Sequence, residues 1–332
     1  MATRELDTPP RILELYARAL APLVPGASRL PWVAGGGEEI PDLALSLAHV
    51  RADPARVASY RRVCAFPPGS ELPATYPHVL AFPLHLALMA DGDFPFAPVG
   101  LVHLANHIAQ QRPIMLAERF DLRVWATPLE AHPRGRTFSL VTEARVADEL
   151  VWRELSTMLH REAPTDAPAG DGAGAGGEHA GGHAEHEPGQ APEPAQAPEP
   201  LSAAAAVRAE WRLPGDLGRR YAAVSGDRNP IHLHALGARA LGFPRAIIHG
   251  MWTKARCLAA LQESAGGPPA APLSVEVRFR RPIPLPSSVG FESAGEGDTV
   301  RFGVRDASGA TEHLDGHMEP LEDITRAREE LQ

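Results

Sequence analysis

The 332-residue chain, 44% hydrophobic and with a net charge of −9, has room for about two domains of ordinary size. Seven of its acidic residues fall between 163 and 200, where there is no Lys or Arg; the near-neutral remainder argues against a nucleic-acid partner. Only Cys64 and Cys257 are present, no apolar run approaches the ~18 residues of a membrane span, and residues 1–10 lack a signal-peptide core, so a cytoplasmic protein without a disulfide framework is expected.

Residues 1–36 read as a helical lead-in. A first domain is expected over 37–162. Residues 43–50 alternate with period two, as a half-buried strand does, and Asp53-Pro54 supplies an N-cap residue with proline at the first helical position. A second helix is expected near 83–90, short because Gly92 and Pro95 follow it. Strands are expected over 99–108, 117–127, 137–146 and 150–159.

Residues 163–200 are almost all Ala, Gly, Pro, Glu, Gln and His. They cannot bury enough apolar surface to offset their ordering entropy, and are expected to be a disordered linker. The G-x-G-x-x-G pattern at 172–177 has no strand before it and no helix after it, so it does not mark a dinucleotide site. His179, His183 and His186 could ligate a metal, but an acidic tract of this composition fits a tether better.

A second domain is expected over 201–320, with a tail at 321–332. Residues 206–213 alternate like 43–50, and Pro214-Gly-Asp216 opens a short helix. The main helix spans about 250–261, where Met251, Cys257, Leu258 and Leu261 recur at helical spacing before Gly266-Gly267 ends it. Strands follow at 273–280, 288–292, 299–304 and 312–319, separated by turns at 295–298 and 306–309. An antiparallel sheet packed on one long helix makes each domain α+β.

The two halves repeat one another. Tyr60-Arg-Arg-Val-Cys-Ala-Phe66 aligns with Tyr221-Ala-Ala-Val-Ser-Gly-Asp227, and Gln111-Arg112-Pro-Ile114 with Arg280-Arg281-Pro-Ile283. The copies differ in chemistry. The second places Asp227, Asn229 and His232 within six residues of one another; the first has Phe66 at the aspartate position and no His in 67–73. Taken alone, Asp-Arg-Asn-Pro is turn chemistry, because Asp and Asn side chains satisfy their own backbone. The same sharp corner also lets Asp227 and His232 converge as an acid–base pair. If Gly250 opens the main helix, its N–H lies at the positive end of the dipole, and the missing Cβ lets a carbonyl oxygen approach. His249 by itself fits a satisfied core histidine better than a catalyst.

The stretch Tyr221-Ala-x-x-Ser-Gly-Asp-x-Asn-Pro-Ile-His232, followed by Gly242-Phe-Pro244 and Ile248-His-Gly-Met251, resembles the signature of the MaoC-like, hydratase-2 type dehydratases. Phe82-Pro83, Asp93-Phe-Pro-Phe96 and Asn106-His-Ile108 resemble the non-catalytic half of double hot-dog members, in particular the actinobacterial 3-hydroxyacyl-thioester dehydratases. The resemblance implies a tandem hot-dog fold, with a curled antiparallel sheet wrapped around a central helix in each half. It implies an (R)-specific 3-hydroxyacyl-thioester dehydratase, or trans-2-enoyl-CoA hydratase, of fatty acid metabolism. Asp227 and His232 would be the acid/base pair, Asn229 would orient water and substrate, and Gly250 would supply the oxyanion-hole amide. His249 and Met251, beside Gly250, are candidate substrate-contacting positions. No metal or other cofactor is implied. The partners implied are an acyl thioester of coenzyme A or acyl carrier protein and, for assembly, a second copy of the chain.

Two further sets are candidates for substrate contact. Arg280 and Arg281, at a strand end, could meet coenzyme A phosphates or an acyl carrier protein, although an exposed strand end explains them as well. Phe66 and Phe82, with Phe94 and Phe96, could shape an acyl tunnel or simply fill the core. Two alternatives stand beside the dehydratase. A hot-dog thioesterase needs a base that the helix face Met-Trp-Thr-Lys-Ala-Arg-Cys does not offer, and Glu263 comes too late to serve. A non-catalytic acyl-thioester-binding protein would not need the intact Asp227, Asn229 and His232 set.

Overall fold

The period-two segments become strands, and the two apolar helical segments become the helices that those strands wrap. A computed structural model describes residues 1–21, 37–162 and 207–321. The linker expected at 163–200, the end of the lead-in and the tail beyond 321 lie outside the described residues. The first half comprises β1 (Ala2–Leu6), α1 (Ile12–Leu20), β2 (Leu43–Arg51), α2 (Pro54–Cys64), α3 (Tyr76–Met89), β3 (Val102–Gln110), β4 (Arg119–Ala126), β5 (Glu130–His132), β6 (Gly135–Val146) and β7 (Glu149–Arg161). The second comprises β8 (Val207–Leu213), α4 (Leu217–Ser225), α5 (Pro230–Leu233), α6 (Ala235–Ala240), α7 (Gly250–Ser264), β9 (Leu273–Phe279), β10 (Ser287–Glu296), β11 (Thr299–Asp306) and β12 (Glu312–Pro320).

The strands form one continuous sheet in the order β1-β2-β4-β6-β7-β3-β9-β12-β11-β10-β8, with β5 paired to β6. Moving outward from the β3–β9 seam, the two halves have the same order of equivalent strands, as the repeat in the sequence requires. The seam is antiparallel, with Ala105 opposite Arg278, His107 opposite Glu276 and Gln110 opposite Leu273. All pairings are antiparallel except β1 with β2. This is the tandem hot-dog architecture expected from the sequence. Among the described residues, no helix is long and apolar enough to cross a membrane.

Each central helix is buried nearly all round. In α7, the residues from Met251 to Ala255 and from Cys257 to Leu261 are buried. Lys254 is fully buried with them, and its Nζ donates to Asn106 O (3.1 Å), Asn106 Oδ1 (2.5 Å) and Val275 O (3.0 Å). Three acceptors around three N–H groups satisfy an ammonium, and they tie α7 to both seam strands. Burial still pushes Lys254 down to about 7, against the pull of Glu154 and Glu276.

Two expectations need correction. The helix expected to be short near 83–90 runs for 14 residues from Tyr76, straight through Pro83. Proline removes one backbone donor and crowds the turn before it, but burial of Tyr76, Val79, Ala81, Leu84, Leu86 and Leu88 holds the helix together. Pro77 in the first turn also starts it well. The lead-in is helical only from Ile12; residues 2–6 form a strand that adds to the sheet edge beside β2.

Candidate active site

The motif folds into a corner between two helices. α4 ends at Gly226, whose φ of +80° is left-handed, and a Cβ there would come within 2.5 Å of Ile12 Cδ1. Glycine is therefore favoured for its backbone angle, and a larger residue would also have to displace the Ile12 side chain. Asn229 (φ −54°, ψ 126°) caps α5 by accepting from Ile231 N–H at 3.3 Å, and Pro230 starts that helix. α5 carries His232 inward, where it is 9% exposed.

His232 and Asp227 are held in complementary states. His232 Nδ1 lies 2.8 Å from Ile247 O, which can only accept, so Nδ1 carries the hydrogen and Nε2 presents a lone pair. Burial lowers the His232 pKa, with Asp227 opposing, so the ring is neutral near pH 7. Asp227 Oδ1 accepts from Tyr16 Oη at 2.8 Å and from Asn229 N–H at 3.1 Å. Burial resists its ionisation, but its surroundings, with the Tyr16 hydroxyl and the Asn229 amide donating to it, hold its carboxyl below the usual range. The pair is thus a carboxylate beside a neutral imidazole.

His249 supports this pair from behind. It is 2% exposed, stacks on His232 with centroids 3.7 Å apart, and contacts the Asp227 backbone carbonyl through Nε2 at 3.1 Å. Its Nε2 is also 3.8 Å from Asp227 Oδ2. Burial and His232 push its pKa down to about 3, so the ring is neutral and the carbonyl hydrogen bond, not an ion pair, defines the contact. Ligand atoms of Asp227, His232 and His249 lie within 4.8 Å of one another, a spacing that suits a metal ion as well as acid–base chemistry. His232 Nδ1 and His249 Nε2 each donate to a backbone carbonyl, which fixes the orientation of both rings.

Gly250 is the first residue of α7, so its N–H has no acceptor within the helix. A Cβ at this position would stand 2.9 Å from the Phe279 ring. Asp227, Asn229, His232, Gly250 and Met251 all line one cavity of about 440 Å³, whose opposite wall is the first half, with Phe82 and other residues of α3. Arg280 and Arg281 are exposed and line the same cavity where it opens to solvent. Arg280 is paired with Asp315 and lies 4.0 Å from Glu312. Arg112, the first-half counterpart of Arg281, is spent on Glu118 (3.1 Å) and Glu149 (3.3 Å).

Three candidates sit differently from expectation. Phe66 is 7% exposed in the core, stacked on Tyr60 with centroids 6.3 Å apart, and does not line the cavity. Phe94 and Phe96 pack instead on Phe138. At the position that carries the aspartate in the second half, the first half therefore contributes core packing, and its cavity lining comes mainly from α3, residues 98–101, β3 and β7. The residue missed altogether is Tyr16. It belongs to α1, packs with Leu15 and Ala19 against Leu86 and Ala90, and also accepts from Arg228 N–H at 2.7 Å. Burial, then the Asp227 carboxylate, raise its pKa, so it remains a donor. The only sequence signal for it was a tyrosine on the apolar face of a short amphipathic segment 211 residues away.

Comparison with known proteins gives concordant likenesses. The family described as "MaoC like domain" matches residues 194–316. The chain is 35% identical over 291 residues to "3-hydroxyacyl-thioester dehydratase X" of Mycobacterium tuberculosis, covering 88% of this chain and 91% of that protein. The crystal structure of HtdX from the same organism superposes with a TM-score of 0.67 at 31% identity, covering 84% of this chain and all of that one. A MaoC-like dehydratase from Phytophthora capsici superposes with a TM-score of 0.64 at 17% identity, covering 87% of this chain and 97% of that one, a likeness of fold.

Proposed function

The chain belongs to the MaoC-like dehydratases, and from that premise we infer that it interconverts (3R)-3-hydroxyacyl and trans-2-enoyl thioesters at the Asp227–His232–Gly250 cluster. The observation that carries this assignment is a carboxylate and a neutral imidazole fixed in the wall of one cavity beside an unpaired helix-start amide.

The chemistry follows from the protonation states. In dehydration, removal of the C2 proton puts negative charge on the thioester oxygen, which the Gly250 N–H stabilises. Near pH 7, neither Asp227 nor the Nε2 of His232 carries a proton toward the cavity. The proton taken from C2 is therefore the one returned to the departing C3 hydroxyl. The C2–H and C3–O bonds break, the C2–C3 double bond forms and water leaves. Hydration is the reverse. Asn229 Oδ1 is occupied by its cap, so its Nδ2 group is the part that can hold the C3 oxygen. His249 is a positioning residue: it fixes the Asp227 backbone and backs the His232 ring.

Arg280 and Arg281, exposed at the cavity, suit the phosphates of coenzyme A, which lie a pantetheine arm away from the thioester, or an acidic carrier protein. Arg281 is the better candidate, since Arg280 is already paired. A thioesterase is disfavoured because the buried face of α7 offers Lys254 and no carboxylate. Purified protein should hydrate crotonyl-CoA to the (R)-3-hydroxy product, followed by loss of the enoyl absorbance. Binding without turnover, or release of free coenzyme A, would overturn the assignment.

A further inference from the structure

The cavity wall opposite Asp227 is not the plain apolar lining that an alkyl chain needs. His78, Phe82, His85, Leu86 and Met89 form the cavity-facing stripe of α3. The two imidazoles lie side by side, with centroids 5.1 Å apart. His78 Nδ1 is 2.9 Å from Glu154 Oε2; Glu154 is fully buried, and burial opposes its charge, but His78 leads the groups that hold it down to about 2. The carboxylate therefore takes the Nδ1 hydrogen, and the other nitrogen of His78 remains for a ligand. Glu154 Oε1 and Ser156 Oγ share the Asn106 amide at 2.7 and 2.9 Å, and Ser156 also lines the cavity. His85, 2% exposed, is 2.6 Å from Thr142 through Nε2, which leaves Nδ1. Burial and the nearby His78 push His85 down to about 3, so it is neutral.

Packing explains part of this network. Glu154 and Asn106 complement Lys254 at the seam. It does not explain two imidazoles on the cavity face of an otherwise apolar helix, where Leu or Phe would pack at no desolvation penalty. An alkyl chain laid against His78, His85 and Ser156 would strip water from them and return nothing. A carboxylate would be repelled by Glu154, which lies fully buried behind His78. A neutral oxygen that both donates and accepts suits the remaining ring nitrogens and the serine hydroxyl.

We propose that the α3–β7 wall is a subsite for a hydroxyl or similar neutral oxygen on the acyl chain, remote from the reacting carbons. This rests on the dehydratase reading and narrows it to oxygenated acyl thioesters. The arms carried by His78 and His85 then determine specificity, while Asp227 and His232 do the chemistry.

The test uses full-length protein and pairs of trans-2-enoyl-CoA substrates matched in length, one plain and one with a terminal hydroxyl, over a series of lengths. At the length that brings the hydroxyl to the wall, kcat/KM for the hydroxylated member should exceed that of the plain one by at least about tenfold, since sites built to hydrogen-bond a substrate group reject analogues lacking it. His85→Leu should bring that ratio close to one. His78→Gln keeps a donor for Glu154 and should do the same, even if His85→Leu folds poorly. Equal or better use of plain chains at every length would overturn the proposal while leaving the dehydratase assignment intact. So would variants that depress both members of each pair equally, which would make the wall a contact for the pantetheine arm. Failure to hydrate any enoyl thioester would remove both.

Discussion

Asp227 is useful only as a carboxylate, and the hydrogen bonds from Tyr16 and the Asn229 amide help to keep it one. Tyr16 is the most testable of these, because it reaches in from another element to hydrogen-bond Asp227 and the Arg228 amide. Removing its hydroxyl should raise the Asp227 pKa. A base that must be ionised loses activity as pH falls through that pKa, so Tyr16→Phe should move the acid limb of the kcat/KM profile upward, by roughly half to one pH unit. If kcat falls with the acid limb unmoved, the phenol serves α1 docking alone. At Gly250, alanine would drive a methyl against Phe279 and shield the amide. Gly250→Ala should therefore lower kcat by about 10²-fold or more, as loss of an oxyanion donor does; a change confined to KM would count against the oxyanion role. Asp227, Asn229, His232 and Gly250 were all legible in the sequence because a turn motif and a helix start place them by local rules. Tyr16 was not, because no local rule links residue 16 to residue 227.

At the level of elements, the periodic strands and α7 were legible because alternation and helical spacing survive in the sequence wherever one face is buried. α3 was underestimated, since Pro83 suggests a boundary that tertiary packing overrides. α1 acts as a strap. It packs on α3 of the first half and delivers Tyr16 to the corner of the second, against a Gly226 that leaves room for Ile12. Lys254 is the other cross-link, joining α7 to β3 and β9. Lys254→Met should destabilise the fold by about 3–5 kcal/mol, the range for breaking a buried charged network on one side. Chemical denaturation would measure it, and a change under about 0.5 kcal/mol would make the network dispensable.

At the level of the molecule, the two copies diverged: one half kept the Asp227, Asn229 and His232 corner, and the other contributes Phe82 and further α3 residues to the same cavity. The division is visible in the sequence as Phe66 opposite Asp227; of the phenylalanines expected either to shape a tunnel or to fill the core, Phe82 lines the cavity and Phe66 packs in the core. The buried network also sets a pH dependence for stability. Burial pushes His85, His103 and His249 down to about 3, from 6.5 when unfolded. Between those values the unfolded chain binds more protons, so the stability these histidines contribute is fully present above about 6.5 and is lost as pH falls. Glu154, held at about 2 against 4.5, adds to the loss below about 4.5. The urea midpoint should therefore be clearly lower near pH 4.5 than near pH 7; a flat profile would mean that these imidazoles are not buried neutral. The central claim, that Asp227 and His232 perform the dehydration together, is tested most directly by the turnover of crotonyl-CoA in Asp227→Asn and His232→Ala beside the parent protein. The account predicts a fall of at least about 10²-fold in each, with the fold retained. Near-normal turnover in either variant would contradict it.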